Sequence, residues 1–350
     1  MAGRVPELGL VPMHVGSGTF SSVYAGTDAI GVRRAVKRAH NARRAHVDPE
    51  LAREAMFLRR LRRAPCVVGM MRAAPDETGT MCLVLDAGRI DMHDWLDEAK
   101  TRRGSWRTRA RRFAGDVAFA LAHCHERGVV HRDVKPSNVV LRNGRAMLVD
   151  FGCAASTGHS EDMRVGALMY RAPETALGET RCDPAVDVFA LGLILHETSG
   201  ARIPGNVDSE YGQLIRTLRA FGAETEWAAG LPDYSPLLPR LRGKVRVQPV
   251  VAACCAVNPA VRWTAQRALR FLSADLGLVE PEFSEVTHET RHAALCVAGE
   301  GVELLVDYLV RANHRVDDVE CLAVARAAHG VATGARADEH AERLLLRTVF

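Results

Sequence analysis

Lysine is nearly absent from this 350-residue sequence, which carries four lysines beside 42 arginines. It also has no run of 18 apolar residues, so no membrane-spanning helix is expected. The N-terminus lacks the charged and apolar segments of a signal peptide, and the nine cysteines form neither a CxxC pair nor a zinc spacing. We therefore expect a nuclear or cytoplasmic protein that is not secreted, keeps its thiols reduced and has no membrane contact.

Positive charge is concentrated near the N-terminus, although the net charge is only +4. Residues 31–63 hold eleven Lys or Arg against three Asp or Glu. The favoured interpretation is a solvated helix face, and the alternative is a patch for an acidic partner or nucleic acid. Aromatic side chains do not alternate with these arginines as they do in proteins that bind single strands. We therefore do not expect nucleic acid as a partner.

Alternation and turn residues predict strands and one helix in the first third of the chain. "LGLVPMHVGSGTFSSVYAG" predicts strand, glycine turn and strand, and "RRAVKRA" predicts a strand with Ala35 and Lys37 on one face. Asp48 is expected to cap a helix that has Pro49 in its first turn. Glu54 lies beside the apolar stripe of that helix, where a carboxylate is costly to bury without a cation. The sequence therefore predicts a cationic partner for Glu54.

Later segments predict mainly helices. A buried strand is expected at "MCLVLDAG", and a long helix should run from Trp106 to about Arg127, with Gly128 as its stop. The segment "VVHRDVKPSNVVLRNGRAMLVDFG" predicts a hairpin that carries unusual polar residues. From about Pro184 to Phe350 the pattern is mostly helical, without a low-complexity linker.

Seven motifs stand in the order and spacing of eukaryotic-like protein kinases. They are "GSGTFSSV" (16–23), "AVK" (35–37), Glu54, "HRDVKPSN" (131–138), "DFG" (150–152), "APE" (172–174) and Asp187 in "DVFALG". The resemblance implies an α+β bilobal fold, with a small β-rich N-lobe carrying one key helix and a larger helical C-lobe. The expected layout is an N-terminal extension (1–9), a kinase domain (10–275; N-lobe about 10–87, C-lobe about 88–275) and a helical C-terminal extension (276–350).

In such kinases a glycine-rich loop and a hinge hold ATP. Gly16 and Gly18 would let the backbone approach the phosphates, and Ser21 stands where a third glycine is usual. The resemblance implies that the following residues contact the nucleotide: Gly16, Ser17, Gly18, Thr19, Phe20, Ser21, Ser22, Val23, Ala35, Lys37, Asp86 and Gly88.

The same resemblance implies the catalytic roles. Asp133 would orient the substrate hydroxyl, and Lys135 would neutralise charge on the transferred phosphoryl group, a choice typical of Ser/Thr kinases. Lys37 would contact the α- and β-phosphates and pair with Glu54. Magnesium takes hard oxygen ligands, and those expected here belong to Asn138 and Asp150.

The implied function is transfer of the ATP γ-phosphate to Ser or Thr hydroxyls of proteins, with Mg²⁺. Lys37 and Lys135 are half of all the lysines, which favours an active enzyme because Lys and Arg are not interchangeable at such positions. The alternative is a pseudokinase scaffold that binds ATP or a partner without efficient turnover. Ala167 favours that alternative, since many Ser/Thr kinases carry at this position a Thr that bonds the catalytic Asp and Lys.

Short sequence motifs of this chain resemble those of two branches of the family. "GTFSSVY", "HRDVKPSN" and "LVDFG" resemble the DDK-type cell-division-cycle kinases, whereas "YRAPE" is similar to the cyclin-dependent and MAP-kinase group. The first resemblance implies acid-directed substrates, a role in the cell cycle and an activating regulatory subunit. The large inserts by which such kinases hold that subunit are missing, because Asp150 to Glu174 spans only 25 residues.

The stretch "HSEDMRVGALMYRAPE" (159–174) is expected to be the activation segment. In many kinases the residue at Arg132 grips a phosphate on this segment, but Met163 stands at the usual phosphosite and has no hydroxyl. Glu161 and Asp162 would supply part of the missing charge. The alternatives are that these acids form a solvated loop tip, and that the switch is one of the nearest hydroxyls, at Ser156, Thr157 and Ser160.

An ion pair is expected to tie this segment to the rest of the C-lobe. Glu174 and Arg262 resemble the buried pair that has this role in kinases. The alternative is two unrelated surface charges.

Overall fold

The computed structural model describes residues 13–17, 21–28, 31–40, 48–76, 79–101, 104–158, 163–176, 179–201, 209–221 and 247–276. These residues divide into two compact units. The first holds the described residues up to Arg62 together with Val68–Ala87, and the second holds Arg63–Val67 and the described residues from Gly88 onward. The helices predicted beyond residue 276 lie outside the described residues.

The first unit contains a five-stranded antiparallel sheet in the order β1-β2-β3-β5-β4. Its strands are β1 (Met13–Ser17), β2 (Ser21–Thr27), β3 (Arg33–Ala39), β4 (Met70–Pro75) and β5 (Met81–Asp86). The register places Lys37 of β3 opposite Val23 on one side and Leu83 on the other. The centre of the sheet packs around the buried side chains of Val36, Cys82 and Val84.

One helix, α1 (Pro49–Arg60), packs on β4 and β5. Its predicted cap is confirmed, because the Asp48 side chain accepts the backbone N–H groups of Glu50 and Leu51 at 3.0 and 3.1 Å. The predicted apolar stripe is buried as well, and it includes Leu51 and Leu58. The same face therefore buries Glu54, which is 0 % exposed.

The second unit is mostly helical. Its helices are α2 (Met92–Thr101), α3 (Trp106–Glu126), α4 (Pro173–Ala176), α5 (Ala185–Thr198), α6 (Glu210–Phe221), α7 (Pro249–Cys254) and α8 (Ala265–Leu276). Short strands accompany them: β6 (Ile90–Asp91), β7 (Val129–Val130), β8 (Val139–Arg142), β9 (Arg145–Leu148) and β10 (Ala155–Ser156).

Helix α3 is the core of this unit and contacts α5, α8 and β9. It ends where the sequence predicts, since Gly128 follows with φ +64°. The segment that the sequence predicts as one polar hairpin takes part in two separate strand pairs. Strand β7 pairs with β10, and β8 pairs with β9 in a hairpin. Asn143 and Gly144 close that hairpin with positive φ angles, as a two-residue turn requires. The polar residues of 131–138 therefore lie in the loop between β7 and β8.

Cysteines serve packing in the second unit. Cys254 and Cys255 are buried, and a Cβ added to Gly192 of α5 would lie 2.5 Å from the Cys255 sulfur. Burial raises the pKa of Cys254 to about 12, so its thiol stays protonated. Both cysteines therefore serve the packing of this unit. Every helix in the described part of the chain is too short or too polar to span a bilayer.

Candidate active site

Lys37 and Glu54 form an ion pair inside the first unit. The Lys37 Nζ lies 2.6 Å from the Glu54 Oε2, and the two side chains are 13 % and 0 % exposed. Strand β3 positions the lysine and helix α1 positions the glutamate. Removing one partner of a buried pair leaves an uncompensated charge and typically costs about 3–5 kcal/mol. This contact is the cationic partner that the position of Glu54 predicted.

The glycine-rich segment joins β1 to β2. Gly16 pairs with Val23 and Ser17 with Ser22 across the two strands. A Cβ added to Gly16 would meet no described atom within 4 Å, so the space beside this backbone is open. The Ser22 hydroxyl bonds the His40 ring at 2.7 Å. Three of the predicted nucleotide contacts lie outside the described residues: Gly18, Thr19 and Phe20.

Two predicted hinge residues have different surroundings. In the first unit, Asp86 donates its backbone N–H to the Gly69 carbonyl at 2.9 Å, and its carboxylate pairs with Arg34 at 2.6 Å. In the second unit, a Cβ added to Gly88 would lie 2.5 Å from the Val140 Cβ. Gly88 is therefore needed for the close approach of its backbone to β8. Ala35 of β3 stands opposite Leu85 of β5.

Asp187 of α5 anchors the loop that carries the predicted catalytic residues. Its carboxylate accepts the backbone N–H groups of His131 and Arg132, each at 2.8 Å, and the His125 Nε2–H at 2.9 Å. Burial works to raise the pKa of Asp187, but the bonds from His125 and the backbone lower it overall. The ionised carboxylate therefore holds Arg132 in a left-handed conformation, with φ +66°, that a non-glycine residue otherwise avoids.

His131 connects this loop to the segment before the "DFG" motif. Its Nδ1 accepts the Asp133 N–H at 3.2 Å, so its Nε2 carries the proton and donates to the Val149 carbonyl at 3.0 Å. The ring packs edge-on against Phe151, with centroids 4.7 Å apart. His131 thus fixes both the backbone of Asp133 and the residue before Asp150.

Both carboxylate oxygens of Asp133 accept hydrogen bonds. Oδ2 accepts from the Lys135 Nζ at 2.7 Å and from the Asn138 Nδ2 at 2.8 Å. Oδ1 accepts from the Ala167 backbone N–H at 2.7 Å. Asp133 is only 9 % exposed. Its side chain is consequently held in one orientation by donors on both sides.

A backbone hydrogen bond links Asn138 to the residue before Asp150, since the Val149 N–H donates to the Asn138 carbonyl at 2.9 Å. The Asn138 Nδ2 is occupied by Asp133, which leaves its Oδ1 as the atom able to bind a cation. Asp150 has φ +66° and ψ 73°, a strained conformation of the kind that clusters at functional sites. The described residues contain no group of three His, Cys, Asp or Glu able to hold a metal. The Asn138 Oδ1 and the Asp150 carboxylate are oxygen ligands of the kind that Mg²⁺ takes, and Mg²⁺ completes its shell with substrate phosphates and water.

The described part of the activation segment brings Met163 to Arg132. Met163 is 4 % exposed, and its sulfur lies 3.9 Å from the Arg132 NH1. The Arg132 Nε donates to the Cys153 carbonyl at 2.6 Å. Glu161, Asp162 and Ser160 lie outside the described residues, so their predicted roles stay predictions.

Glu174 and Arg262 form the predicted buried pair. The NH1 and NH2 groups of Arg262 donate to the two carboxylate oxygens at 2.6 and 2.9 Å. The side chains are 0 % exposed for Arg262 and 6 % for Glu174. The alternative of two surface charges is wrong, and the pair ties α4 to the segment before α8.

The sequence interpretation missed two contributors to this site. Asp187 was recognised as part of a motif, without its role as acceptor of two loop amides. The Ala167 N–H was missed altogether, because only its side chain was considered. A backbone donor gives no signal in residue identity, although the glycine before it, Gly166, marks an unusual backbone.

Comparison with known proteins decides the family. The family described as protein kinase domain matches residues 11–271. Cell division control protein 2 homolog 3 of Trypanosoma brucei brucei is 30 % identical over 279 residues, which cover 73 % of this chain and 88 % of that relative.

The chain belongs to the protein kinase family.

This kinase transfers phosphate from ATP, with Mg²⁺, to Ser or Thr hydroxyls of protein substrates, and it has the α+β kinase fold. The pseudokinase alternative is not favoured. Special closeness to the DDK-type branch is not confirmed and stays a prediction.

Proposed function

We propose that Asp133 is the residue that orients the substrate hydroxyl and accepts its proton during transfer. The observation that carries this proposal is the carboxylate itself, held by Lys135 and Asn138 on one oxygen and by the Ala167 amide on the other. A general base must lie within hydrogen-bond reach of the proton that it accepts, and only then does its proton affinity affect the rate. The three donors supply that position within one unit of the protein.

Lys135 has a second role in this proposal. Its Nζ contacts Asp133, and its side chain is 24 % exposed, so it remains accessible from solvent. A compact ammonium at this position stabilises negative charge on the phosphoryl group as that group leaves ATP. Lys37, oriented by Glu54, binds the α- and β-phosphates. The open backbone beside Gly16 accommodates the phosphates without a side chain.

Asn138 and Asp150 are the proposed Mg²⁺ ligands. When bound, the ion neutralises phosphate charge and aligns the γ-phosphate for transfer. The chain contributes the Asn138 Oδ1, left available by the bonds of its amide nitrogen, and the Asp150 carboxylate. The proposed adenine contacts are the backbones of Asp86 and Gly88.

We further propose that the activation segment is ordered without phosphorylation, by Glu161 and Asp162. Support comes from Arg132, whose guanidinium lies beside Met163, the residue directly after Asp162. Acids at this point of the sequence would supply part of the charge of a phosphate, about −1 each rather than −1.5 to −2. The kinase would then be active as synthesised.

The double substitution Glu161→Ala with Asp162→Ala is expected to lower kcat at least several-fold. One charge-assisted bond contributes roughly 1.5–3 kcal/mol. Wild-type enzyme made in bacteria and treated with phosphatase should keep its kcat, measured as phosphate transfer to a peptide. Glu98→Ala with Glu126→Ala, which removes two exposed acids from α2 and α3, serves as the matched control and should keep wild-type turnover.

The opposite pattern is equally informative. Loss of activity on phosphatase treatment, with a double variant that behaves like wild type, would make Ser156, Thr157 or Ser160 the switch. The two acids would then be solvated loop residues.

We also propose that this kinase acts in cell division together with a regulatory subunit. This proposal is supported by similarity to a relative named as a cell division control protein 2 homologue and by motif wording that resembles acid-directed kinases. We also propose residues 10–275 as the kinase domain and an acidic preference around the phosphorylated Ser or Thr.

A further inference from the structure

The peptide group that joins Gly166 to Ala167 lies between two charged side chains. Its N–H donates to the Asp133 Oδ1 at 2.7 Å, and its carbonyl accepts from the Arg171 NH2 at 2.9 Å. A cation on the carbonyl side and an anion on the amide side both favour the same orientation of the peptide dipole. Hydrogen bonds arranged in such a chain strengthen one another. The arrangement therefore fixes the amide toward the catalytic carboxylate.

This close approach depends on Gly166. Its φ is +74°, a conformation that favours glycine. A Cβ at this position would lie 2.4 Å from the Arg132 carbonyl oxygen and 2.9 Å from the Asp133 Oδ1. A side chain at position 166, or a φ in the usual negative range, would therefore disturb the 2.7 Å hydrogen bond from the Ala167 N–H to the Asp133 Oδ1. Glycine at position 166 is consequently required for the hydrogen bond between the Ala167 N–H and Asp133.

The distribution of donors identifies which oxygen of Asp133 is available to substrate. A carboxylate has about four acceptor positions, two on each oxygen. Oδ2 already accepts from Lys135 and Asn138, whereas among the described residues Oδ1 accepts from Ala167 alone. The remaining acceptor position therefore belongs to Oδ1, the oxygen that the Ala167 amide holds.

We propose that the Ala167 backbone N–H is a positioning donor for catalysis, which fixes the Asp133 Oδ1 as the oxygen that meets the substrate hydroxyl. It supplies from the main chain a bond that many Ser/Thr kinases are expected to make with a Thr side chain at this position. The absence of that hydroxyl is then compensated, and the activation segment is linked directly to the catalytic residue. This inference rests on the proposed role of Asp133.

Replacement of Ala167 by proline tests the inference. Proline removes the N–H, and the Ala167 φ of −71° lies within the range that proline adopts. We expect kcat to fall about 10- to 100-fold, the size expected for one bond to a charged partner. The KM for ATP should stay close to wild type. Because the proline Cδ takes the place of the hydrogen that meets the Asp133 Oδ1, this variant also displaces the carboxylate, and the ester variant below separates the two effects. Ala167→Ser keeps the N–H, and its kcat should exceed that of Ala167→Pro at least tenfold.

A second variant covers the case in which the proline form does not fold. Incorporation of lactic acid at position 167 replaces the amide by an ester, which deletes the N–H and keeps the methyl group. The same fall in kcat is expected. In the Asp133→Ala background, the lactic acid exchange should change the residual rate less than about twofold, because the acceptor is gone.

The outcomes separate the two proposals. An ester variant with wild-type kcat, or a further tenfold loss in the Asp133→Ala background, overturns the role of the Ala167 amide and leaves the role of Asp133 intact. If Asp133→Ala itself keeps substantial activity, the proposed function of Asp133 fails first.

Discussion

Asp133→Asn is expected to reduce phosphoryl transfer by about 10²- to 10⁴-fold, the usual contribution of a positioned general base. Asparagine has the shape of aspartate but can neither carry the charge nor accept the hydroxyl proton in the same way. Its oxygen can still accept from the donors on one side, and Asp187 holds the backbone of the loop, so the loop should stay folded. ATP affinity should remain close to wild type, because nucleotide contacts are assigned to other residues.

The measurement is a steady-state assay with a peptide substrate, alongside nucleotide binding by calorimetry on the same preparation. A useful control is Asp97→Asn, which changes an exposed carboxylate on α2 that pairs with Lys100 and His93. That control should match wild type. An Asp133→Asn enzyme with half of the wild-type kcat would remove Asp133 from the catalytic role.

Lys37→Arg is expected to be nearly inactive although it keeps the charge. The Lys37 Nζ occupies a confined position, 2.6 Å from a glutamate that is 0 % exposed. The guanidinium of arginine is wider and planar, so it needs space on either side of its fork. If arginine is displaced from Glu54, a buried carboxylate loses its partner, at a cost of about 3–5 kcal/mol. We therefore expect loss of turnover together with a lower melting temperature.

Lys100→Arg is the matched control for this substitution. Lys100 makes an exposed pair with Asp97, with a 2.9 Å Nζ–Oδ1 distance and 41 % exposure of the lysine side chain. An exposed pair contributes little to stability, so arginine should be accepted there. Normal turnover of Lys37→Arg would show that retention of lysine in an arginine-rich chain is a coincidence at this position.

Local sequence rules predicted those parts of the site that depend on side-chain type and helical spacing. The Asp48 cap and the burial of Glu54 beside an apolar stripe follow from residue identity and from the cost of burying an unpaired charge, whereas the Glu174 pair with Arg262 was expected from the resemblance to kinases. These features are present in the structure. The order of the seven motifs by itself indicates the kinase family.

The remaining parts depend on backbone geometry, which residue type does not specify. Arg132 has a positive φ although it is not glycine, and the distant Asp187 stabilises this conformation by accepting its backbone N–H. The Ala167 amide reaches Asp133 because Gly166 adopts φ +74° and Arg171 holds the intervening carbonyl. Such contacts join residues 34 to 55 positions apart in sequence, so neither periodicity nor spacing indicates them.

The central claim is tested most directly by phosphate transfer from γ-labelled ATP, with Mg²⁺, to a library of Ser, Thr and Tyr peptides by the purified chain alone. The account predicts label on Ser and Thr peptides, strongest where acids flank the hydroxyl, with none on Tyr. Asp133→Asn should lower that label at least a hundredfold. Transfer by wild type that does not exceed that of Asp133→Asn at saturating ATP, or label on Tyr peptides, would contradict it.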